Sequence, residues 1–263
     1  MIRDLLGSPT SGLALLYHDI VPQEEADTSG FVTDGSWRYK LAPEMFDRHL
    51  STIADSAFEP ALITDNPPNR PVYLTFDDGG RTAMEAARQL EAYGYRGHFF
   101  IVIDRVGEDG FLDWNQIYDL DQRGHCIGSH TMTHANLLKA NTQRCQQELT
   151  ESKAAIAAEL GQCQSISIPL GAYNEKVFKA VYESGYEYIF TSEPVRIPRD
   201  HLNHRLGRWN IWYETDPDEL AAILEASPPI VLKTAVRWYG VKFIKRLLGY
   251  DRFIRIRDIV GLK

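Results

Sequence analysis

Short, strongly apolar runs alternate along the chain with longer segments of helical periodicity. The runs predict strands at Leu13–Tyr17, Val72–Phe76, Gly97–Ile103, Cys126–Gly128, Ser165–Ile168, Glu187–Thr191 and Pro229–Leu232. Most lack a polar alternate face, which fits parallel strands covered on both sides. Between them, helices are predicted over Pro43–Ala54, Thr82–Tyr93, Trp114–Arg123, Thr142–Leu160, Glu175–Ser184 and Pro217–Glu225. Pro43 suits a first helical turn, and Gly94, Gly124, Gly161 and Gly185 stand where helices stop. Residues 20–40 and 59–71 read as loops, the second with Pro67, Pro68 and Asn69 ahead of a strand. Strand, helix, glycine, strand, repeated this often, predicts an α/β fold with parallel strands. The number of units favours a distorted (β/α) barrel over an open sheet. Neither an internal repeat nor a linker divides the chain, so a single domain over residues 1–263 is expected.

Composition changes this picture little. The chain of 263 residues is 44% hydrophobic and 24% charged, a globular balance that excludes disorder and low complexity as overall descriptions. Three cysteines, Cys126, Cys145 and Cys163, form neither a CxxC pair nor an even disulfide set. The first apolar run is short and is followed by His18-Asp19, unlike a signal peptide, and no stretch is long enough to span a bilayer. A cytoplasmic protein is the expectation.

Charge is distributed unevenly. The formal net charge of −8 argues against a general nucleic-acid binder. Yet residues 233–263 hold nine Lys/Arg against two acids, +7, which leaves −15 on the remainder. Within this basic segment Val236, Gly240, Phe243 and Leu247 recur at helical spacing, with Arg237, Lys242, Lys245 and Arg246 off that line. The expected reading is a domain-closing helix whose apolar stripe packs on the core. The alternative is contact with an anionic membrane surface or lipid carrier.

Candidate chemistry collects where predicted strands end, the usual place for ligands in parallel α/β folds. Val72–Phe76 runs into Asp77-Asp78-Gly79-Gly80, Cys126–Gly128 into Ser129-His130-Thr131-Met132-Thr133-His134, and Leu13–Tyr17 into His18-Asp19. On a helical turn His130 and His134 share a face and can meet one metal ion. A carboxylate oxygen from Asp77 or Asp78 completes a three-ligand set with an open position, as hydrolytic metal sites require. The second carboxylate is then free to accept a proton.

These residues resemble a known family. Tyr73-Leu-Thr-Phe-Asp-Asp-Gly79 is similar to the Asp-Asp motif of the polysaccharide deacetylases, carbohydrate esterase family 4 with its NodB-homology domain. Gly124–His134 resembles that family's two-histidine motif, and Ile168-Pro-Leu-Gly-Ala-Tyr-Asn174 its third motif. The likeness runs from about Leu13 to Ile211. It implies a distorted (β/α) barrel, one divalent metal ion, commonly zinc, and hydrolysis of the N-acetyl group of a hexosamine in an acetylated glycan. Carried over by position, Asp78, His130 and His134 are metal ligands and Asp77 is the general base. Leu170, through its backbone N–H, and Tyr173 fall in the substrate and oxyanion region. Two departures stand out. Ser167 occupies the place of a motif-three Arg, for which Arg208 is the candidate replacement, and the usual C-terminal Leu-x-His motif is missing. Leu15-Leu-Tyr-His18 resembles that motif moved to the start of the chain, as in circularly permuted members, which makes His18 the candidate general acid. A catalytically silent carbohydrate-binding barrel and a hydrolase of another C–N bond are the competing readings.

The remaining histidines carry structural expectations. His98 and His125 are assigned to packing, and His49, His201 and His204 to the surface. Cys126 and Cys163 are expected to be buried, and Trp209, Trp212 and Tyr213 to line either the core or a sugar site.

Overall fold

The computed structural model describes residues 5–8, 10–198 and 205–248, with side chains described up to Gly240. His201, His204 and the basic segment beyond Leu248 lie outside the described residues.

The described residues hold nine strands: β1 (Leu13–Tyr17), β2 (Glu59–Pro60), β3 (Pro71–Phe76), β4 (His98–Ile101), β5 (Cys126–Ser129), β6 (Ser165–Ser167), β7 (Tyr188–Phe190), β8 (Arg205–Leu206) and β9 (Trp209–Asn210). The helices that accompany them are α1 (Pro43–Ala54), α2 (Ala83–Ala92), α3 (Trp114–Gln122), α4 (Thr142–Leu160), α5 (Glu175–Glu183), α6 (Pro217–Glu225) and α7 (Pro228–Leu248). These strands pair in parallel, in the order β8-β7-β6-β5-β4-β3-β1-β9, with β2 beside the start of β3. Strands β8 and β9 are two halves of one stretch. The first half pairs with β7 and the second with β1, so residues 205–210 bring the ends of the sheet together into a distorted barrel. Gly207 permits that crossing, because a Cβ there would lie 2.3 Å from the Glu193 carbonyl oxygen.

Helix ends follow their caps. The Asp113 side chain accepts from Gln116 N in a reciprocal capping box, and Asn141, Asn174 and Asp216 cap α4, α5 and α6.

Two-residue alternation sorts the strand side chains into layers. Ala14, Tyr73, Phe100, Phe190 and Leu206 form one apolar cluster inside the barrel, while Leu13, Leu15, Val72, Leu74, Phe76 and Ile166 join the larger core under the helices. Continuing the inward alternation upward gives Thr75 and then Asp77 after β3, Ser167 on β6, and Arg208 at the crossing. The barrel is therefore apolar below and polar at the C-terminal ends of its strands.

Three expectations need correction. Pro229–Leu232 is not a strand but the first turn of α7, since a four-residue apolar run fits either state. His49 is buried rather than exposed; its Nε2 donates to Thr215 O (2.9 Å), its Nδ1 faces the Tyr17 hydroxyl (3.3 Å), and burial lowers its pKa to about 4. Val236, the first member of the expected stripe, does not pack on the core either, and Phe243 and Leu247 lie outside the described side chains. Ile230, Val231 and Ala235 are buried, whereas Val236 is 66% exposed. His98 and His125 are structural as expected: His98 bridges Ile63 N and Leu74 O, and His125 bridges Gly97 N and Glu91 Oε1.

Candidate metal centre

Strand register sets the site. Tyr17 pairs with Phe76, so His18 and Asp77 leave the sheet side by side, and Asp77 N donates to Tyr17 O (3.1 Å). One strand further round, β4 holds the start of the two-histidine loop, with His130 N donating to Ile101 O (2.8 Å).

Asp77 lies inside the polar layer. Arg208, 1% exposed and the largest fully buried side chain among the described residues, donates from Nη1 to Asp77 Oδ1 (2.7 Å) and from Nη2 to Oδ2 (2.8 Å). The same guanidinium reaches Thr191 O (3.0 Å), Thr75 Oγ1 (3.2 Å) and Ser167 Oγ (2.7 Å), so every nitrogen has a partner. Ser167 Oγ in turn donates to Asp77 Oδ2 (2.9 Å). A small hydroxyl at Ser167 leaves space that Arg208 fills from the crossing at 205–210. Burial pushes the Asp77 carboxyl up, but the Arg208 charge and its bidentate bonds, with help from His130 and His18, hold it well below the usual carboxylate range.

Asp78 faces the histidines. His130 Nε2 lies 3.4 Å and His134 Nε2 3.6 Å from Asp78 Oδ1, and one ligand atom from each of the three residues falls within 4.8 Å of the others. Among the described residues this is the one His/Cys/Asp/Glu group with such spacing. His130 Nδ1 donates to Ser167 O (2.8 Å), which fixes the tautomer and turns the Nε2 lone pair towards Asp78. Asp78 Oδ1 is buried with no hydrogen-bond donor of its own. A buried carboxylate oxygen without a donor, beside two imidazole nitrogens, fits a cation, and two nitrogens plus one oxygen are a zinc-type donor set.

Charge balance agrees with that reading. Burial raises the Asp78 pKa, but the imidazoles gathered around it, His130 first and then His18 and His134, bring it below the ordinary value. Burial lowers His130, yet Asp77 and Asp78 raise it overall. His134 is lowered to about 4 by burial and by neighbouring His130, so it is neutral and able to ligate near pH 7.

The histidine pair does not lie on the expected helical turn. Residues 130–136 form an irregular loop in which Thr131 (φ 67°) and His134 (φ 59°) are left-handed, as are Asp78 (φ 76°) and Leu170 (φ 61°). Such strain persists only where surroundings enforce it, and it concentrates at this site. Glu148, fully buried on α4, supplies part of that enforcement. Its Oε2 accepts from Thr133 N (2.8 Å) and its Oε1 from Thr133 Oγ1 (2.6 Å), while Arg144 Nη2 lies 2.6 Å from Oε1. Nothing in the sequence around Glu148 singles it out from the other acids of a long helix. Glu148→Ala is expected to lower divalent-metal affinity about 10–100-fold, the usual effect of losing an outer partner. Metal titration of the folded variant checks this, and unchanged affinity would contradict it.

Aromatic rings flank the site. Tyr39 lies tilted 4.6 Å from the His18 ring and Phe31 4.9 Å from His134, both from the 20–40 loop. That loop is tied down by buried Asp19, whose Oδ1 accepts from Ser29 Oγ (2.5 Å) and Thr82 Oγ1 (2.8 Å), with Lys40 Nζ 3.7 Å from Oδ2. Gly80 admits this arrangement, since a Cβ there would lie 2.1 Å from Asp19 Oδ1. The Trp212 ring lies tilted against Tyr39 (4.8 Å) and Tyr213 meets Trp37 edge-on (4.8 Å), whereas Trp209 is buried in the core. Leu170 sits at the rim with its side chain 49% exposed, and the Tyr173 hydroxyl donates to Glu193 Oε2 (3.1 Å). Cys163 is buried and Cys126 half-buried, and all three cysteines are free.

The polysaccharide deacetylase family profile matches residues 64–189, the stretch that holds Asp77, Asp78, His130, His134 and Ser167. This stretch is a polysaccharide deacetylase domain. His18 and Arg208 lie outside the matched stretch. The chain is 29% identical over 180 residues to Bacillus subtilis YxkH, which is named as a polysaccharide deacetylase, covering 64% of each chain. It is 26% identical over 134 residues to a Bacillus cereus peptidoglycan-N-acetylglucosamine deacetylase, covering 50% of this chain and 61% of the other. It thus spans less than two thirds of the length of these relatives. The Streptococcus pyogenes deacetylase PplD, solved in complex with acetate, shares the fold at a TM-score of 0.70 and 22% identity, covering 83% of this chain and 100% of PplD. IcaB from Ammonifex degensii does so at 0.67 and 19%, covering 83% and 98%.

Proposed function

We propose that this chain hydrolyses the N-acetyl group of a hexosamine in a polysaccharide or glycan precursor, using one divalent metal ion, zinc by its donor set. The observation that carries the proposal is the meeting, at one end of the barrel, of a carboxylate held by Arg208 with a second carboxylate faced by two histidines. A silent binding barrel has no use for both sets together. The Bacillus cereus relative named for N-acetylglucosamine deacetylation supports the substrate class.

Asp78, His130 and His134 would hold the ion. A divalent ion bound there supplies Lewis acidity, acidifying water and polarising a carbonyl. The protein's own groups supply the rest. Asp77, kept ionised by Arg208, accepts a proton from the water whose oxygen forms the new bond to the acetyl carbon. Its Oδ1 accepts one Arg208 bond and keeps a lone pair for that proton. The Leu170 N–H donates to the carbonyl oxygen as negative charge grows there, a contribution of roughly 3 kcal/mol per such donor. As the C–N bond breaks, His18 gives its proton to the leaving nitrogen, and acetate and a free amine result. Tyr173 belongs to the rim that positions the sugar.

His18 suits the acid role because its ring is fixed against Tyr39, its Nδ1 is buried without a partner, and its charge reaches both carboxylates. Strand β1 stands between β3 and β9, and its pairing with β3 sets His18 beside Asp77 at the end of the barrel. His18→Ala is expected to slow acetate release from N-acetylglucosamine oligomers about 10²–10⁴-fold while the metal is retained. Hydrolysis of 4-nitrophenyl acetate, whose leaving group needs no proton, should fall far less; equal losses on both substrates would remove His18 from the acid role. Acetate release from the oligomers by the wild-type chain tests the proposal as a whole, and no release from any N-acetylated sugar polymer or precursor would refute it.

A further inference from the structure

We infer that Asp19 and Lys40 are positioning residues for His18, a clasp that sets the proton donor against the turn bearing Asp77 and Asp78. The inference rests on the acid role proposed for His18. Hydrogen bonds at a ring nitrogen aim three other buried histidines: His130 through Ser167 O, His98 through Leu74 O and His125 through Gly97 N. His18 Nδ1 is buried with no such partner, and its ring is met by Tyr39 at 4.6 Å. Its aim therefore depends on the backbone that carries it and on the loop that carries Tyr39.

The clasp holds both. Beyond the ladder bond from Asp77 N to Tyr17 O, the two chains are tied through Asp19. Its Oδ1 accepts from Ser29 Oγ (2.5 Å) and from Thr82 Oγ1 (2.8 Å). Those hydroxyls are themselves fixed, because Ser29 Oγ accepts from Thr82 N (3.1 Å) and Thr82 Oγ1 from Ile20 N (3.2 Å). Each hydroxyl thus gives one bond to the carboxylate and takes one from the backbone. Lys40, 2% exposed, closes the loop from its other end. Its Nζ donates to Ala26 O (2.6 Å) and to Ser29 O, and lies 3.7 Å from Asp19 Oδ2. Leu41 N donates to Asp19 O and Val21 N to Leu41 O, both at 2.9 Å, so the two ends of the loop lie side by side. Packing leaves little slack: a Cβ at Gly30 would lie 2.3 Å from Asp19 Oδ2, and one at Gly80 2.1 Å from Oδ1. Burying two charges is costly. What this pair secures is the spacing between the strand end that bears His18 and the turn that bears Asp77 and Asp78. Misplacing a reacting group by about 1 Å can cost about 10²-fold in rate.

The test compares acetate release from N-acetylglucosamine oligomers, where the leaving nitrogen requires a proton, with hydrolysis of 4-nitrophenyl acetate, where the leaving group does not. Thr82→Val keeps the shape and removes the hydroxyl. It should lower kcat on the oligomers about tenfold or more and alter the ester rate far less. Thr82→Ser should restore most of the oligomer rate. Lys40→Met, with circular dichroism to show that it is folded, should shift the amide-to-ester ratio in the same direction. Where His18→Ala shifts that ratio, an unmoved ratio in Thr82→Val and Lys40→Met, or equal losses on both substrates, would overturn the clasp and leave the His18 assignment standing. A ratio unmoved by His18→Ala itself would overturn both.

Discussion

Asp77→Asn is expected to reduce kcat/KM for acetate release by about 10³-fold or more while one equivalent of divalent metal stays bound. Removing the proton acceptor forfeits a general-base contribution of about 10²–10⁴-fold, and the ligand atoms of Asp78, His130 and His134 are untouched. A second effect accompanies it. Arg208 is 1% exposed and uses both Nη atoms on Asp77, so the neutral amide leaves a buried cation short of its counter-charge. Stranding one partner of such a pair costs about 3–5 kcal/mol, and the melting temperature should fall. Because the Asp77 pKa is depressed in the folded chain, the pair's stabilisation is present above the unfolded value of about 3.9 and is lost as pH falls through the folded one. The stability gap between wild type and Asp77→Asn should therefore be full near neutrality and narrow on acidification. Kinetics, metal analysis and melts against pH check the three parts separately. Full activity in Asp77→Asn would remove it from the base role.

His130→Ala is expected to abolish tight metal binding and, with it, deacetylation. This imidazole is the central member of the ligand group, close to both carboxylates and locked by Ser167 O. Its loss leaves one histidine and one carboxylate, too few for a closed hold on zinc, and the affinity should drop by more than the about 10–100-fold typical of an outer partner. Removing the buried imidazole also takes from Asp77 and Asp78 a group that favours their ionised forms, so circular dichroism accompanies the titration to show that the variant is folded. Calorimetric metal titration gives the outcome directly.

Strand β1 and helices α1, α4 and α6 have the same limits in the sequence pattern and in the fold, because buried apolar runs and strong end signals such as Pro43, Asn141, Gly161 and Asp216 leave little freedom. Asp77, Asp78, His130 and His134 are legible in the sequence because they follow apolar strands directly, whereas Arg208 is reached only through the family resemblance, as a candidate for the Arg missing at Ser167. The features that sequence conceals are governed by three-dimensional closure. The crossing at 205–210 consists of two dipeptides interrupted by Gly207 and Arg208, too short for any periodicity. His49 carries no sequence mark of burial, since its partners Tyr17 and Thr215 are remote in the chain. Glu148 looks like a solvated helix acid until Thr133 is placed against it. The left-handed turns at Thr131 and His134 are imposed by such contacts, against the preference of those residue types.

The most direct measurement is metal content set against activity. The wild-type chain should carry one divalent ion, lose both ion and acetate release on treatment with a chelator, and regain both when one equivalent is restored. A chain stripped of metal that still released acetate at the full rate would contradict the account.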